Sequence, residues 1–390
     1  MRDSWKIYVL AMVSFLVGTS EFVISGILDR VAADTGVTLA AAGQLITVYS
    51  LAYAIGTPIL IAMTAKMDRR KLMLAALTLF FIGNLVTILT TGFSMLLGAR
   101  IILAVGTGVF MVVALTVAAN TAQQGKQGSA IATVLLGFNL ALILGVPLGR
   151  VIAGSYDWKL IFTGIGVLSL IAMFVLLLTI PKSKGDTPVP LREQLSLLKT
   201  PRIAIALSIG FFWIMGYTIV YTYISPFLLN ITGMSDRMIS VGLFAFGIAS
   251  LLGSQVGGYG ADKWGIPRTM IGGLLFHSGI LLLITGFAHT SVYLVFPLLM
   301  LWSFFAWSTG PVQQVYLIAM APKASGIVLS LNTSILQLGM AAGAVIGGMV
   351  VENISLQAVG FIGAIGVALG VIPAVLSLSM RKKSDIRVKE

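Results

Sequence analysis

No cysteine occurs among the 390 residues, so disulfides and thiolate metal sites are both excluded. Histidine is nearly as scarce. His277 and His289 stand outside any H-E-x-x-H context, which argues against a zinc site. Charge is the third shortage: 10% of the side chains are charged and 58% are hydrophobic, where a soluble domain carries about 25% charged residues. Too little polar surface remains to wrap a water-soluble protein of this size. What is left is an integral membrane protein. Apolar–polar alternation is missing too, so a β-barrel does not fit the long unbroken apolar runs.

At roughly 20–25 residues per spanning helix, the chain has room for about twelve. Hydropathy places them near 6–28, 39–62, 71–91, 94–119, 128–154, 158–180, 202–229, 236–260, 268–288, 291–320, 323–351 and 355–380. The first apolar stretch is longer than a signal-peptide core and has no small-x-small cleavage site, so it is expected to remain as a span. One long polar interruption, Pro181 to Pro201, holds four prolines and separates six spans from six. The expected fold is therefore all-α and integral to the membrane. Twelve transmembrane helices form two pseudo-symmetric six-helix bundles, residues 1–180 and 202–390, joined by a cytoplasmic linker at 181–201. Within the linker, Leu191–Leu198 reads as a short amphipathic piece on the membrane surface.

The net charge of +12 raises nucleic acid as a partner until the charges are placed. With the N-terminus inside, the inner segments hold 20 of the 25 basic residues, the exceptions being Arg30, Arg100, Arg150, Lys159 and Arg237. The positive-inside rule then puts both termini in the cytoplasm of a cell-membrane protein. Anionic lipid supplies the counter-charge, and no nucleic-acid partner is needed.

The halves repeat. Ala62–Lys71 after the second span matches Gly258–Arg268 after the eighth, an offset of 196. Gly145-Val-Pro147-Leu-Gly149 in the fifth span matches Gly343-Ala-Val-Ile-Gly347 in the eleventh, an offset of 198. Parallel six-span halves are a secondary-transporter design. A primary pump would need a nucleotide-binding loop of the type G-x-x-x-x-G-K-[ST], and none is present.

Charges inside the bilayer cost at least about 2.5–3.5 kcal/mol each on insertion scales, so each calls for a reason. Glu21 lies roughly 22 Å from the inner face, counting the helical rise from Lys6. Arg100 enters from the other side, about 9 Å deep, at a similar level. One reading is a structural ion pair. The other is a carboxyl that binds and releases a proton as its cationic neighbour moves, and so couples protons to transport. The second half has no counterpart to either charge. It offers neutral groups instead: Trp213, Tyr217 and Tyr221 on one helix face, Trp302, Trp307, Gln313, Gln314 and Tyr316 in the tenth span, Asn332 and Gln337 in the eleventh. Asn139 aligns with Gln337 at the offset of 198. Asn139, Tyr217, Tyr221, Trp307, Gln314, Asn332 and Gln337 are the candidate substrate contacts, although each aromatic also fits ordinary packing or an interfacial belt. Glycines around Pro147 suit close helix packing, and Pro147 itself suits a bend.

The whole chain resembles the major facilitator superfamily, in its twelve-span drug:proton antiporter family. Gly258, Asp262, Gly265 and Arg268 look like the second-half copy of that family's loop signature. Arg100 with Gly106 and Gly108 resembles its fourth-helix motif, Gly145-Val-Pro147-Leu-Gly149 its exporter motif, and Glu21 its first-helix acid. The first-half loop departs from the pattern: Ala62, Lys66 and Asp68 stand where glycine, aspartate and glycine are usual. The stretches Ala42–Thr47, Leu60–Lys66 and Pro311–Tyr316 look most like purine-base efflux pumps and the related arabinose- and chloramphenicol-type exporters. The resemblance implies a central cavity between two six-helix halves, with Gly145, Pro147, Gly149, Gly258, Asp262, Gly265 and Arg268 in gating. It implies a monomer that exports a small planar or amphipathic compound, with the proton gradient as energy source and no cofactor. A sugar exporter is the alternative within this class. A passive channel is the alternative outside it. A membrane-embedded enzyme would need clustered nucleophile, acid and metal ligands, which the sequence lacks.

Overall fold

The computed structural model describes residues 4–123, 126–182 and 191–387. All regular structure among the described residues is helical, and no strand occurs there. Among the described residues, twelve helices are long and apolar enough to cross a membrane. In chain order, spans 1–6 are Trp5–Gly26, Leu39–Met63, Arg69–Ile88, Phe93–Thr121, Gln127–Ser155 and Lys159–Thr179. Spans 7–12 are Pro201–Tyr221, Asp236–Lys263, Ile266–Phe287, Val292–Met320, Ser325–Asn353 and Ala358–Met380.

The clearest departure from the expected bounds is span 7, expected to run to residue 229. Its helix stops at Tyr221, and a separate short helix occupies Ile224–Asn230. Pro226 explains the break: it has no N–H for the Thr222 carbonyl, and its ring crowds that oxygen. Of the linker, residues 183–190 lie outside the described residues. Its expected amphipathic piece is a helix at Leu191–Ser196 followed by a tight turn at Leu197–Lys199.

The chain divides into two compact units, Met1–Val189 with Asp236–Phe244, and Pro190–Ser235 with Ala245–Glu390. Within the first, span 1 packs on span 5, span 2 on span 4, and span 3 on spans 4 and 6. Within the second, span 7 packs on spans 11 and 12, and span 9 on spans 10 and 12. The pairings 1–5, 3–4 and 3–6 thus recur as 7–11, 9–10 and 9–12. The repeated sequence landmarks sit on these repeated seams. A Cβ added at Gly145 would overlap the Thr19 side chain of span 1, and one at Gly343 would lie 2.5 Å from the Met215 carbonyl of span 7. Small residues at both places let the helices approach closely.

Pro147 also leaves a local signature. Ala141–Gly145 form a π-helical turn in which the Val146 N–H reaches back to the Ala141 carbonyl. Such a turn accommodates a proline that cannot donate to the residue four before it. Between spans 8 and 9 the chain reverses at Gly265 with φ +85°, a left-handed conformation that favours glycine. Pro267 then opens span 9, where a missing N–H costs nothing.

Candidate functional site

In the first unit, Glu21 and Arg100 come together, and Tyr49 of span 2 joins them. All three are buried, at 5%, 1% and 1% exposure. The guanidinium of Arg100 donates to the main-chain carbonyls of Ser20 at 2.8 Å and Glu21 at 3.2 Å, and reaches that of Leu45 at 3.5 Å. Its central carbon stands 4.3 Å from the centre of the Tyr49 ring, a cation–π contact. The Tyr49 hydroxyl donates to Glu21 Oε2 at 3.3 Å. The arrangement holds a carboxyl in the protein interior with a hydroxyl donor and a cation beside it. A proton bound there changes the charge of the assembly by one.

Tyr49 is absent from the sequence-derived site, although a signal existed. It lies ten residues into span 2, about 15 Å along the helix and so near the midplane of a roughly 30 Å core. A hydroxyl at that depth requires a partner.

A second charged assembly also escaped the sequence reading. Arg150, fully buried on span 5, donates to Asp29 and Asp236 at 2.5 Å each and to the Gly26 carbonyl at 3.3 Å. Arg30 donates to the other oxygen of Asp236 at 2.7 Å, and its Nε lies 3.8 Å from Asp29. All four residues belong to the first unit. Arg30 and Arg150 were two exceptions to the inner clustering of basic charge, and each meets acid here. Lys159, a third exception, donates to the Thr90 carbonyl at 3.2 Å.

The second unit gathers rings around Tyr217. Tyr221 stacks on it at 5.0 Å between centroids, with Trp302 at 5.6 Å, Trp307 at 6.0 Å, His277 at 6.4 Å and Phe246 at 6.5 Å. The Trp302 indole donates to His277 Nε2 at 2.9 Å. Spans 7 and 10 are tied by Trp213 donating to the Ala306 carbonyl at 2.8 Å and by Gln313 Nε2 donating to the Ala206 carbonyl at 2.7 Å. Beside Gly210, the amides of Gln313 and Asn332 converge on one point. Gln313 Oε1 and Asn332 Oδ1 are both buried and have no hydrogen-bond partner among the described residues.

The remaining sequence-derived candidates are dispersed. Gln337 is buried, whereas Gln314 is exposed and its neighbour Gln313 takes the buried position. Trp307 and Asn139 are half-buried, and Asn139 belongs to the first unit while Gln337 belongs to the second. Asp262 and Arg268 are exposed beside the Gly265 turn, and Gly258 is half-buried. Asp68, in the departing first-half loop, caps span 3 by accepting the Lys71 N–H at 2.9 Å. No group of three or more metal-ligating side chains forms among the described residues.

The Major Facilitator Superfamily model matches residues 10–325 and again 209–389. The chain is 52% identical over 387 residues, 99% of each protein, to the uncharacterized MFS-type transporter YbcL of Bacillus subtilis (strain 168). It is 30% identical to a second such protein of that organism, YtbD, over 96% of this chain and 95% of the other. Among solved structures, an inward-facing, occupied bacterial homolog of the human lysosomal transporter Spinster superposes with a TM-score of 0.80 at 16% identity, covering 96% of this chain and 97% of that one. A D-xylose–proton symporter gives 0.77 at 20% identity, covering 95% and 96%. These two structural likenesses establish the fold alone.

Proposed function

The chain belongs to the Major Facilitator Superfamily, and from that premise we propose that it is a proton-coupled exporter of a small planar or amphipathic compound, such as a purine base, a nucleoside or a drug. The observation that carries this reading is the buried Glu21 carboxyl, in contact with the Tyr49 hydroxyl, with the Arg100 guanidinium on the main-chain carbonyls of Ser20 and Glu21. A charge retained at bilayer depth is a functional site by default. Glu21 takes up a proton when a rearrangement of the first unit withdraws its partners, and releases it when they return. Substrate crosses in the opposite direction. The protein works in the cell membrane with both termini in the cytoplasm.

Substrate recognition falls to the neutral groups of the second unit. Ring faces around Tyr217 and Tyr221 suit a flat ligand, and the acceptors Gln313 Oε1 and Asn332 Oδ1 suit its N–H or O–H donors. A buried polar group that loses its ligand partner costs about 1–3 kcal/mol, so Asn332→Ala and Gln337→Ala are expected to weaken binding by roughly 5- to 150-fold.

The decisive measurement is flux in proteoliposomes under an imposed pH gradient. Wild type accumulates substrate against its gradient, whereas Glu21→Gln still shows counterflow but no gradient-driven accumulation. If Glu21→Gln accumulates substrate at the wild-type rate, the carboxyl is structural and the coupling assignment fails. Absence of counterflow in wild type would indicate a channel. A thermal-shift screen across purines, sugars and antibiotics tests the substrate class separately, and a response to sugars alone would replace it.

A further inference from the structure

Away from these residues, three helices of the second unit leave an open groove of about 170 Å³ between spans 8, 9 and 10. Its walls include Gly272, Gly273, Phe276, Phe305 and Trp264, and Arg268 stands on its lining. The groove follows from where side chains are missing. At Gly257 an added Cβ would overlap the Ser308 carbonyl, so spans 8 and 10 touch there. At Gly272 an added Cβ would meet nothing within 4 Å, so the face of span 9 is open at that point. Phe276 and Phe305 stack at 4.8 Å and close the far end with ring surface.

The two ends differ in chemistry. From Arg268 to Phe276 is eight residues of helix, about 12 Å, most of the roughly 15 Å depth of one leaflet. The Phe276 end is apolar. The Arg268 end adjoins the turn between spans 8 and 9, where Lys263 and Arg268 are exposed with one acid, Asp262. Trp264 and Tyr259, both exposed, meet edge to face at 6.1 Å beside it. Tryptophan and tyrosine favour the level of the lipid headgroups.

We propose that this groove binds an anionic phospholipid of the leaflet on the side of the termini. Its phosphate is held by the Arg268 guanidinium, with Lys263 adding positive charge, and one acyl chain lies over Gly272 and Gly273 against the Phe276–Phe305 pair. Charge and shape both point to this occupant. Lys263, Arg268 and Asp262 sum to one positive charge, which a headgroup with one negative charge balances and a zwitterionic one does not. A soluble phosphate has no use for 12 Å of apolar wall. Basic pockets between spanning helices on the cytoplasmic side are known to take anionic headgroups.

The test uses full-length protein, stripped of lipid in detergent and titrated with phosphatidylglycerol or phosphatidylcholine. Retained lipid is counted by native mass spectrometry, and the shift in Tm is recorded. Wild type is expected to retain one phosphatidylglycerol in preference to phosphatidylcholine and to gain thermal stability from it. Arg268→Gln, at an exposed position, should weaken phosphatidylglycerol about fivefold and abolish the preference. Gly272→Leu, which places a side chain in the open groove, should lose retention of both lipids. Lipid counting separates this site from any part Arg268 plays in gating, which only transport would read. Equal retention of the two lipids by wild type, or an undiminished preference in Arg268→Gln, overturns the proposal. An equal Tm shift from glycerol phosphate alone also overturns it, because the site would then hold an anion without its chain. Should Gly272→Leu fail to fold, the Arg268→Gln comparison stands by itself.

Discussion

In the first unit a buried carboxyl, Glu21, shares its surroundings with a buried arginine and Tyr49, whereas in the second unit neutral rings gather around the matched Tyr217. The two centres correspond: at the repeat offset of 196, Glu21 of span 1 falls on Tyr217 of span 7. The frames around them also correspond, since spans 1 and 7 pack on spans 5 and 11 through Gly145 and Gly343. What differs is the chemistry at one matched position and what that chemistry demands. A buried arginine needs its donors satisfied, and Arg100 draws on backbone carbonyls of spans 1 and 2 as well as a ring face. Tyr217 needs mainly close ring contact, each pair contributing about 0.5–1.5 kcal/mol beyond area burial. A duplicated scaffold can thus bury a titratable group in one copy and a neutral ring cluster in the other while the same helix pairings recur in both.

The strongest way to break this comparison is to remove the distinguishing group at each matched position. Glu21→Gln is expected to abolish gradient-driven transport while substrate binding persists. Tyr217→Phe, which removes only a hydroxyl, is expected to cost about 1 kcal/mol, near fivefold in affinity, and to leave the pH dependence of flux in place. Loss of pH dependence in Tyr217→Phe would mean that coupling is shared between the units.

The next largest effect concerns the other charged assembly of the first unit. Arg150→Ala removes the cation between Asp29 and Asp236, whose side chains are 12% and 42% exposed. Breaking a buried pair costs about 3–5 kcal/mol, and the exposure of Asp236 places the expected loss near the lower figure. The check is a denaturation midpoint in detergent, with Arg150→Ala/Asp29→Asn as the companion. Recovery of stability in the double variant identifies the uncompensated acid as the cause. An unchanged midpoint in Arg150→Ala would show that solvent already screens this cluster.

Much of the architecture was legible in the sequence because apolar run length and glycine placement are read directly from one dimension. Span 7 departed where Pro226 interrupts an otherwise continuous run, a break that hydropathy averages away. The meeting of Glu21 and Arg100 could be anticipated from depth alone. The assembly of Arg30, Arg150, Asp29 and Asp236 could not, because Asp236 opens a helix far along the chain. The basic members looked like exceptions to a charge rule when they were halves of ion pairs. Rotation about each helix axis was the other hidden quantity. In span 10 every phase leaves some apolar side chains on both faces, so the pattern did not choose between Gln313 and Gln314.

That ambiguity gives the smallest prediction and the finest test of the neutral site. Gln313 is 1% exposed and its Nε2 donates to the Ala206 carbonyl, so Gln313→Ala removes a buried hydrogen bond between spans 7 and 10. The expected cost is about 0.5–1.5 kcal/mol of stability. Gln314, one position and 100° further round the helix, is exposed. Its replacement by alanine should change stability by less than about 0.5 kcal/mol. Any effect of Gln314→Ala on affinity is therefore free of a folding contribution, which makes it the cleaner probe of substrate contact. A shift in affinity for Gln314→Ala at constant Tm would place the ligand on the exposed face of span 10. A shift for Gln313→Ala alone, beyond what its lost stability explains, would place it at the Gly210 junction with Asn332. If neither changes affinity, the amides of span 10 are structural, and the proposed recognition is left to the rings around Tyr217.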